Sequence, residues 1–286
     1  MKVGFIGIGM MGESLALNIL NKLDCELYVF DVNTEKVKLL EKEGAIGCAS
    51  SLEVASKSDV VITMVPKNEH VISIHNSLYK AVKKGQLYID MSTISPDVSI
   101  ELANKIKDLG AKMIDAPVVK SKPAAVNGTL GIFVGGDKSD YERALPILKC
   151  VGKDITYMGK NGNGATMKLI HNLLVGIIQN GVNEMILLAE ESKIDINDFV
   201  KAISSGGGQN FYLDKKGKKI GNRNFETTFS FANMHKDMHL VEKLIESKNL
   251  NLPSIKHILK IFDQGMKDGL AKEDFSASFK VVEKNS

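Results

Sequence analysis

Cysteine is scarce. Cys25, Cys48 and Cys150 lie far apart with no paired spacing, which argues against a disulfide framework or a metal site and points to a reducing compartment. Charge of one sign is also lacking. Lys+Arg number 37 against Asp+Glu 34, a formal net charge of +3, and the lysines are scattered rather than set in a stripe, so nucleic acid is not an expected partner. The lysine-rich piece from Lys215 to Lys219 reads as a solvated loop. No run of about 18 or more apolar residues occurs, so no membrane span is expected. The chain enters an apolar strand at once, without a basic leader and a signal-length apolar stretch, and the expected location is the cytoplasm. What is present is ordinary for a soluble enzyme: 286 residues, 44% hydrophobic and 25% charged, enough chain for two domains.

The first strand, Lys2 to Ile6, runs into Gly7-Ile8-Gly9-Met10-Met11-Gly12 and then a helical pattern from Ser14 to Leu20. A bare G-x-G-x-x-G says little; between a strand and a helix it predicts a dinucleotide site. Gly7 allows the tight turn, Gly9 lets backbone approach a pyrophosphate, and Gly12 lets helix and strand pack closely, with the diphosphate against the positive end of the helix. A second strand, Glu26 to Phe30, ends in Asp31, 31 − 12 = 19 residues past the last glycine. That spacing suits the carboxylate that accepts from the adenosine ribose. An anion there repels a 2′-phosphate and Val32 offers no guanidinium, so NAD is preferred; Lys36, whose ammonium could reach a phosphate, keeps NADP open.

Strand patterns continue over 59–66, 86–90, 112–117 and 131–136, with helical patterns between most of them, including Ile100 to Leu109 and Tyr141 to Lys149. This alternation predicts a mainly parallel, doubly wound Rossmann-type sheet with ligands past the strand carboxyl ends, where Val65-Pro66 and Ser92-Thr93 fall. From Thr166 to Ser192 apolar residues recur every three or four positions without proline, which predicts one helix of about 40 Å. Helical pieces follow over 196–203, 229–246, from Pro253 toward Gly265, and after Phe275. The fold class is α/β followed by an all-α part, divided as residues 1–160 and 161–286.

Gly162-Asn163-Gly164-Ala165-Thr166-Met167-Lys168-Leu169-Ile170-His171-Asn172 opens the long helix and sets Lys168 and Asn172 at i and i+4 on one face. On spacing alone this is a surface lysine near a helix start. Four separated pieces change that reading: Gly4 to Gly12, Asp90-Met91-Ser92-Thr93-Ile94-Ser95-Pro96, the Gly162 to Asn172 stretch, and Lys236-Asp237, with a fifth partial match in Asp115-Ala116-Pro117-Val118 and Gly128-Thr129-Leu130. Together, in this order and over essentially the whole chain, they resemble the β-hydroxyacid dehydrogenase family, which includes 3-hydroxyisobutyrate dehydrogenase and the tartronate, succinic and glyoxylic semialdehyde reductases.

The resemblance implies an oxidoreductase interconverting a short hydroxy acid and its semialdehyde or keto form. Lys168 matches the family's catalytic lysine and Asn172 the amide that helps hold substrate and lysine. Thr93 matches the residue beside the nicotinamide ribose, Lys236 a second-domain lysine that contacts the cofactor, and Val65 and Pro66 further dinucleotide positions. Ser92 is expected at the substrate. A homodimer or homotetramer is the family's implied assembly. The chain departs from the family where Ser-Gly-Gly or Ser-Gly-Ser follows Asp-Ala-Pro-Val: here stand Val119-Lys120-Ser121. Two readings stay open, one in which Lys120 or Ser121 takes over the substrate anion and one in which Lys120 points to solvent. An imine reductase of related build is the alternative enzyme, disfavoured by Lys168, and a non-catalytic dinucleotide-binding scaffold is the alternative from another class.

Overall fold

The computed structural model describes residues 1–286 and falls into two compact units, Met1–Lys168 and Leu169–Ser286. In the first, strands and helices alternate: β1 (Lys2–Ile6), α1 (Gly12–Lys22), β2 (Glu26–Phe30), α2 (Thr34–Lys42), β3 (Ile46–Gly47), α3 (Ser51–Lys57), β4 (Val60–Thr63), α4 (Asn68–Leu78), β5 (Leu87–Asp90), α5 (Pro96–Asp108), β6 (Lys112–Asp115), β7 (Val118–Val119), α6 (Lys122–Val126), β8 (Leu130–Gly135), α7 (Lys138–Val151) and β9 (Gly152–Gly159). The sheet order is β3-β2-β1-β4-β5-β6-β8-β7, with β9 paired to β8. Pairs from β3 to β6 are parallel, and only β8 breaks the pattern, antiparallel to both β6 and β7. The expected doubly wound sheet is therefore present.

Its strands are apolar on both faces because helices cover both. Val3, Phe5, Leu27, Val29, Val60, Ile62, Leu87 and Ile89 enter one core, while Ile6, Tyr28, Val61 and Tyr88 enter the other, the period-2 alternation of a pleated strand. A side chain such as Ile62, wholly buried, contributes about 2–3 kcal/mol by leaving water. β3, β7 and β9 have no counterpart in the sequence reading. Two are only two residues long, and β9 is an edge strand whose Lys153 and Asp154 face water, so neither kind shows a continuous apolar run.

The second unit is helical. Helix α8 (Asn163–Glu191) begins in the first unit and runs on into this one, followed by α9 (Ile196–Ser204), α10 (Phe211–Gly221), α11 (Phe231–Ser247), α12 (Pro253–Lys267) and α13 (Ser278–Lys284). Length and hydropathy alone would let α8 cross a membrane. Its Gln179, Asn180 and Asn183 are instead buried in the fold, and the Asn183 amide is hydrogen-bonded to Ser278 Oγ at 2.8 Å. It is a core helix; of these amides Asn183 finds its partner on another helix, while Gln179 Oε1 and Asn180 Oδ1 are buried without one. The lysine-rich piece from Lys215 to Lys219 is not a loop; it lies inside α10, started by Asn210, whose side chain accepts from the N–H groups of Tyr212 and Leu213. A Cβ on Gly217 would stand 2.9 Å from Val200, so the glycine lets α10 approach α9 closely. Lys216 turns inward to Asp274, its side chain only 12% exposed.

Candidate active site

Three glycines, two in the loop after β1 and one at the first position of α1, serve different ends. Gly7 has φ +101°, and a Cβ on it would lie 2.2 Å from the Met64 carbonyl oxygen; a Cβ on Gly12 would lie 2.0 Å from the Gly7 carbonyl oxygen. Both are demanded by the protein's own packing. Gly9 is exposed and a Cβ on it would meet nothing within 4 Å. The packing around Gly9 makes no demand for glycine, and its backbone is open to the approach of a ligand. Helix α1 starts without a side-chain cap, and the Glu13 N–H returns to the Gly9 carbonyl oxygen at 3.0 Å. Around these glycines Ile8 is buried, Met11 half-buried and Met10 exposed.

Asp31 follows β2 and is turned onto this loop. Its Oδ2 accepts from the Ile8 N–H at 2.6 Å and its Oδ1 from the Asn33 N–H at 2.7 Å. Val32 beside it is 92% exposed, and the Lys36 ammonium is paired with Glu13.

The carboxyl ends of three parallel strands bring Thr63, Asp90 and Asp115 into register. Thr63 Oγ1 donates to Asp90 Oδ1 at 2.7 Å, and Ser92 Oγ donates to the same oxygen at 2.8 Å while accepting from the Val65 N–H at 2.9 Å. Ser92 is therefore spent on tying the Val65-Pro66 turn to the turn that carries Thr93. Burial raises the Asp90 carboxyl above its ordinary range. The sequence reading gave Asp90 and Asp115 no role; both carry one, because buried carboxylates at strand ends are fixed points for loops.

Asp115 holds the start of α8. Its Oδ1 accepts from the Gly162 N–H at 2.7 Å and its Oδ2 from the Ala165 N–H at 2.8 Å. The glycines of this segment make the approach: Gly162 has φ +86°, and a Cβ on Gly164 would lie 2.5 Å from the Phe133 carbonyl oxygen. Lys168, buried, follows one turn later. Burial pushes the Asp115 carboxyl up to about 6, against the two N–H donors that favour its charged form. The folded state thus binds the proton more tightly than the unfolded chain, and the group's contribution to stability is lost as pH rises from about 4 to about 6. Relative to Asp115→Asn, which does not titrate, the wild type is expected to lose about 3 kcal/mol of unfolding free energy across that range. Urea unfolding of both proteins at pH 4 and pH 7 checks this; parallel pH profiles would refute it.

Further along α8, in the second unit, Asn172 is buried and its Nδ2 donates to Asp237 Oδ2 at 2.6 Å, while its Oδ1 pairs with His171 Nδ1 at 3.0 Å. Lys236 forms an ion pair with Asp237 at 3.0 Å. The amide is held in one orientation by a charged acceptor, a link the sequence reading did not contain.

In the divergent segment, Lys120 has φ +80°, a conformation that glycine adopts freely and lysine rarely does. Its ammonium is turned to Asp154 Oδ2 and the Thr129 carbonyl oxygen, each at 2.8 Å. Ser121 starts α6 without a side-chain capping bond.

Two family models match this chain, that of the NAD-binding domain of 6-phosphogluconate dehydrogenase over residues 2–159 and that of the NAD-binding domain of NADP-dependent 3-hydroxyisobutyrate dehydrogenase over residues 162–282. The 2-(hydroxymethyl)glutarate dehydrogenase of Eubacterium barkeri is 32% identical over 99% of this chain and 95% of its own. The chain belongs to the β-hydroxyacid dehydrogenase family. The 2-hydroxy-3-oxopropionate reductase of Escherichia coli (strain K12) is also 32% identical, over 99% of this dehydrogenase and 97% of its own chain. Among solved structures, the 3-hydroxyisobutyrate dehydrogenase of Mycobacterium tuberculosis with L-serine superposes with a TM-score of 0.91 at 27% identity, covering 98% of both chains. This dehydrogenase is accordingly an NAD(P)-dependent oxidoreductase acting on CH–OH groups.

Proposed function

We propose that this dehydrogenase interconverts a short β-hydroxy acid and its semialdehyde, with NAD as the favoured dinucleotide and Lys168 as the general acid and base. The observation that carries the reading is a buried lysine one turn past a helix start that Asp115 clamps to the end of β6. Such a clamp fixes the backbone from which Lys168 projects, and positioning is what proton transfer in a concerted step requires. Bound nicotinamide supplies or takes the hydride. Lys168 handles the proton, giving it to the substrate oxygen in reduction and removing it in oxidation. Asn172 orients the substrate. Residues Gly7 to Gly12, Asp31, Val65, Pro66 and Thr93 hold the dinucleotide, and Lys236 keeps its assignment to the cofactor on the family match.

The preference for NAD is supported by an anion at Asp31, an exposed Val32 and a Lys36 ammonium already neutralised by Glu13. For the substrate carboxylate we assign Ser121 and the backbone of residue 120. Lys120 holds a glycine-like φ of +80° where the resemblance has a glycine, while its ammonium faces Asp154. Ser92 acts by holding loops rather than by binding substrate. We further propose a homodimer or homotetramer built on Ile170, Leu174, Met185 and Leu188, large apolar residues that α8 leaves exposed. We place the enzyme in the cytoplasm, a reading supported by three free thiols.

A steady-state screen of NADH and NADPH against glyoxylate, succinic, tartronate and methylmalonate semialdehydes tests the function. Expected is turnover of at least one aldehyde acid with kcat/KM higher for NADH by tenfold or more. In the same screen Lys120→Gly is expected to leave the ratio between mono- and dicarboxylate substrates unchanged; a tenfold change would return the anion to Lys120. No turnover with any of them would defeat the proposal.

A further inference from the structure

In the second unit, among side chains given no role above, two imidazoles and a carboxylate converge. His235 and His239 stand at i and i+4 on α11, and Asp263 reaches them from α12. His235 Nε2 and His239 Nε2 each lie 2.9 Å from the same oxygen, Asp263 Oδ1, and 3.1 Å from one another. Hydrogen bonds cannot satisfy such a triangle. If each Nε2–H donates to the carboxylate, two N–H groups confront each other; if one donates to the other, the acceptor presents a lone pair and the donor's single hydrogen is used, so none is left for the carboxylate. A cation bound to all three atoms removes the conflict.

We propose that His235, His239 and Asp263 bind a divalent transition-metal ion of the Zn2+ class. Ligand atoms around tetrahedral zinc lie about 3.3 Å apart. The present triangle needs to open by only a few tenths of an ångström, within the reach of side-chain rotation. The two rings are inclined at 78° rather than stacked. Nδ1 of His239 faces Glu242 Oε2 at 3.4 Å, one turn further along α11. A carboxylate on that nitrogen favours the tautomer with its lone pair on Nε2, the arrangement found behind metal-bound histidines. Asp263 pairs with these two imidazoles and with no lysine or arginine. The donors are half-buried rather than sealed, which leaves a fourth position open to water. Two nitrogens and one oxygen favour zinc over the oxygen-seeking Ca2+ and Mg2+. The ion would fasten α11 to α12 in the helical unit, one residue before Lys236.

The test is calorimetric titration of untagged, chelator-stripped enzyme with ZnCl2, repeated with MgCl2, alongside the visible spectrum of the Co2+ form. Expected are one Zn2+ per chain, no Mg2+ binding, tetrahedral Co2+ bands, and a melting temperature raised by saturating Zn2+. His239→Ala and Asp263→Ala should each weaken binding by 100-fold or more, and Glu242→Gln by about tenfold. His239 is 40% exposed, so its variant is expected to keep the fold, verified by circular dichroism and NADH titration. Absence of Zn2+ binding at tenfold molar excess would overturn the proposal and leave a hydrogen-bonded cluster only. Binding that survives both alanine variants would place the ion elsewhere and overturn it equally.

Discussion

Replacing Lys168 with alanine is expected to lower kcat by about 10²- to 10⁴-fold, the range that positioned proton transfer supplies. The dissociation constant for NADH should stay within about threefold, because the residues assigned to the dinucleotide's phosphates and ribose, Gly7 to Gly12 and Asp31, lie on other elements. The distinction matters because Lys168 is buried, and its loss could act through packing alone. Lys168→Met keeps most of the side-chain volume without the ammonium and should be as slow as the alanine variant. A small primary amine added to Lys168→Ala should restore part of the rate with a dependence on free-base concentration. Turnover within tenfold of wild type in both variants would end the assignment of Lys168 as the proton donor.

The second large effect is expected at Gly9, and it separates the needs of the fold from those of the cofactor. Gly9→Val places its side chain in open space, so the melting temperature should stay within about 2 °C of wild type. NADH binding should weaken by at least 100-fold, about 2.7 kcal/mol, because the side chain occupies the ground the pyrophosphate needs. Gly7→Ala and Gly12→Ala should do the opposite and fail first in stability, by about 1–3 kcal/mol or more, since each drives a methyl group into a carbonyl oxygen. Fluorescence titration with NADH and thermal unfolding of the three variants distinguish the cases. Unchanged NADH affinity in Gly9→Val would remove the dinucleotide from this loop.

Much of the site was legible because the motifs are local. The β1 turn, Asp31 after β2 and Lys168 one turn into a helix each follow from a few consecutive residues, and the turn chemistry that places them is written in glycines. The divergent segment was half legible. That Val119 removes a hydroxyl can be read from the chain, but that Lys120 takes a glycine-like φ and turns its ammonium to Asp154, 34 residues on, depends on β8 and β9 pairing beneath it. Helix α10 was hidden for a related reason: a run of lysines reads as solvated chain until α9 is seen packed against Gly217. The histidine cluster left only the spacing of His235 and His239, which says nothing without Asp263.

By itself the sequence determined the alternation of strand and helix, the dinucleotide loop and the placement of a lysine and an amide on one helical face. All of these are set by period, by turn residues and by spacings of less than about two dozen positions. Only the tertiary structure decided which carboxylates act. Asp115 clamps α8 across 47 to 50 residues of chain, Asp237 orients Asn172 across 65, and Asp263 meets two imidazoles from a neighbouring helix. The physical reason is common to the three. A carboxylate's role is fixed by the donors that surround it once water is reduced or removed, and those donors arrive from distant segments only when the chain has packed.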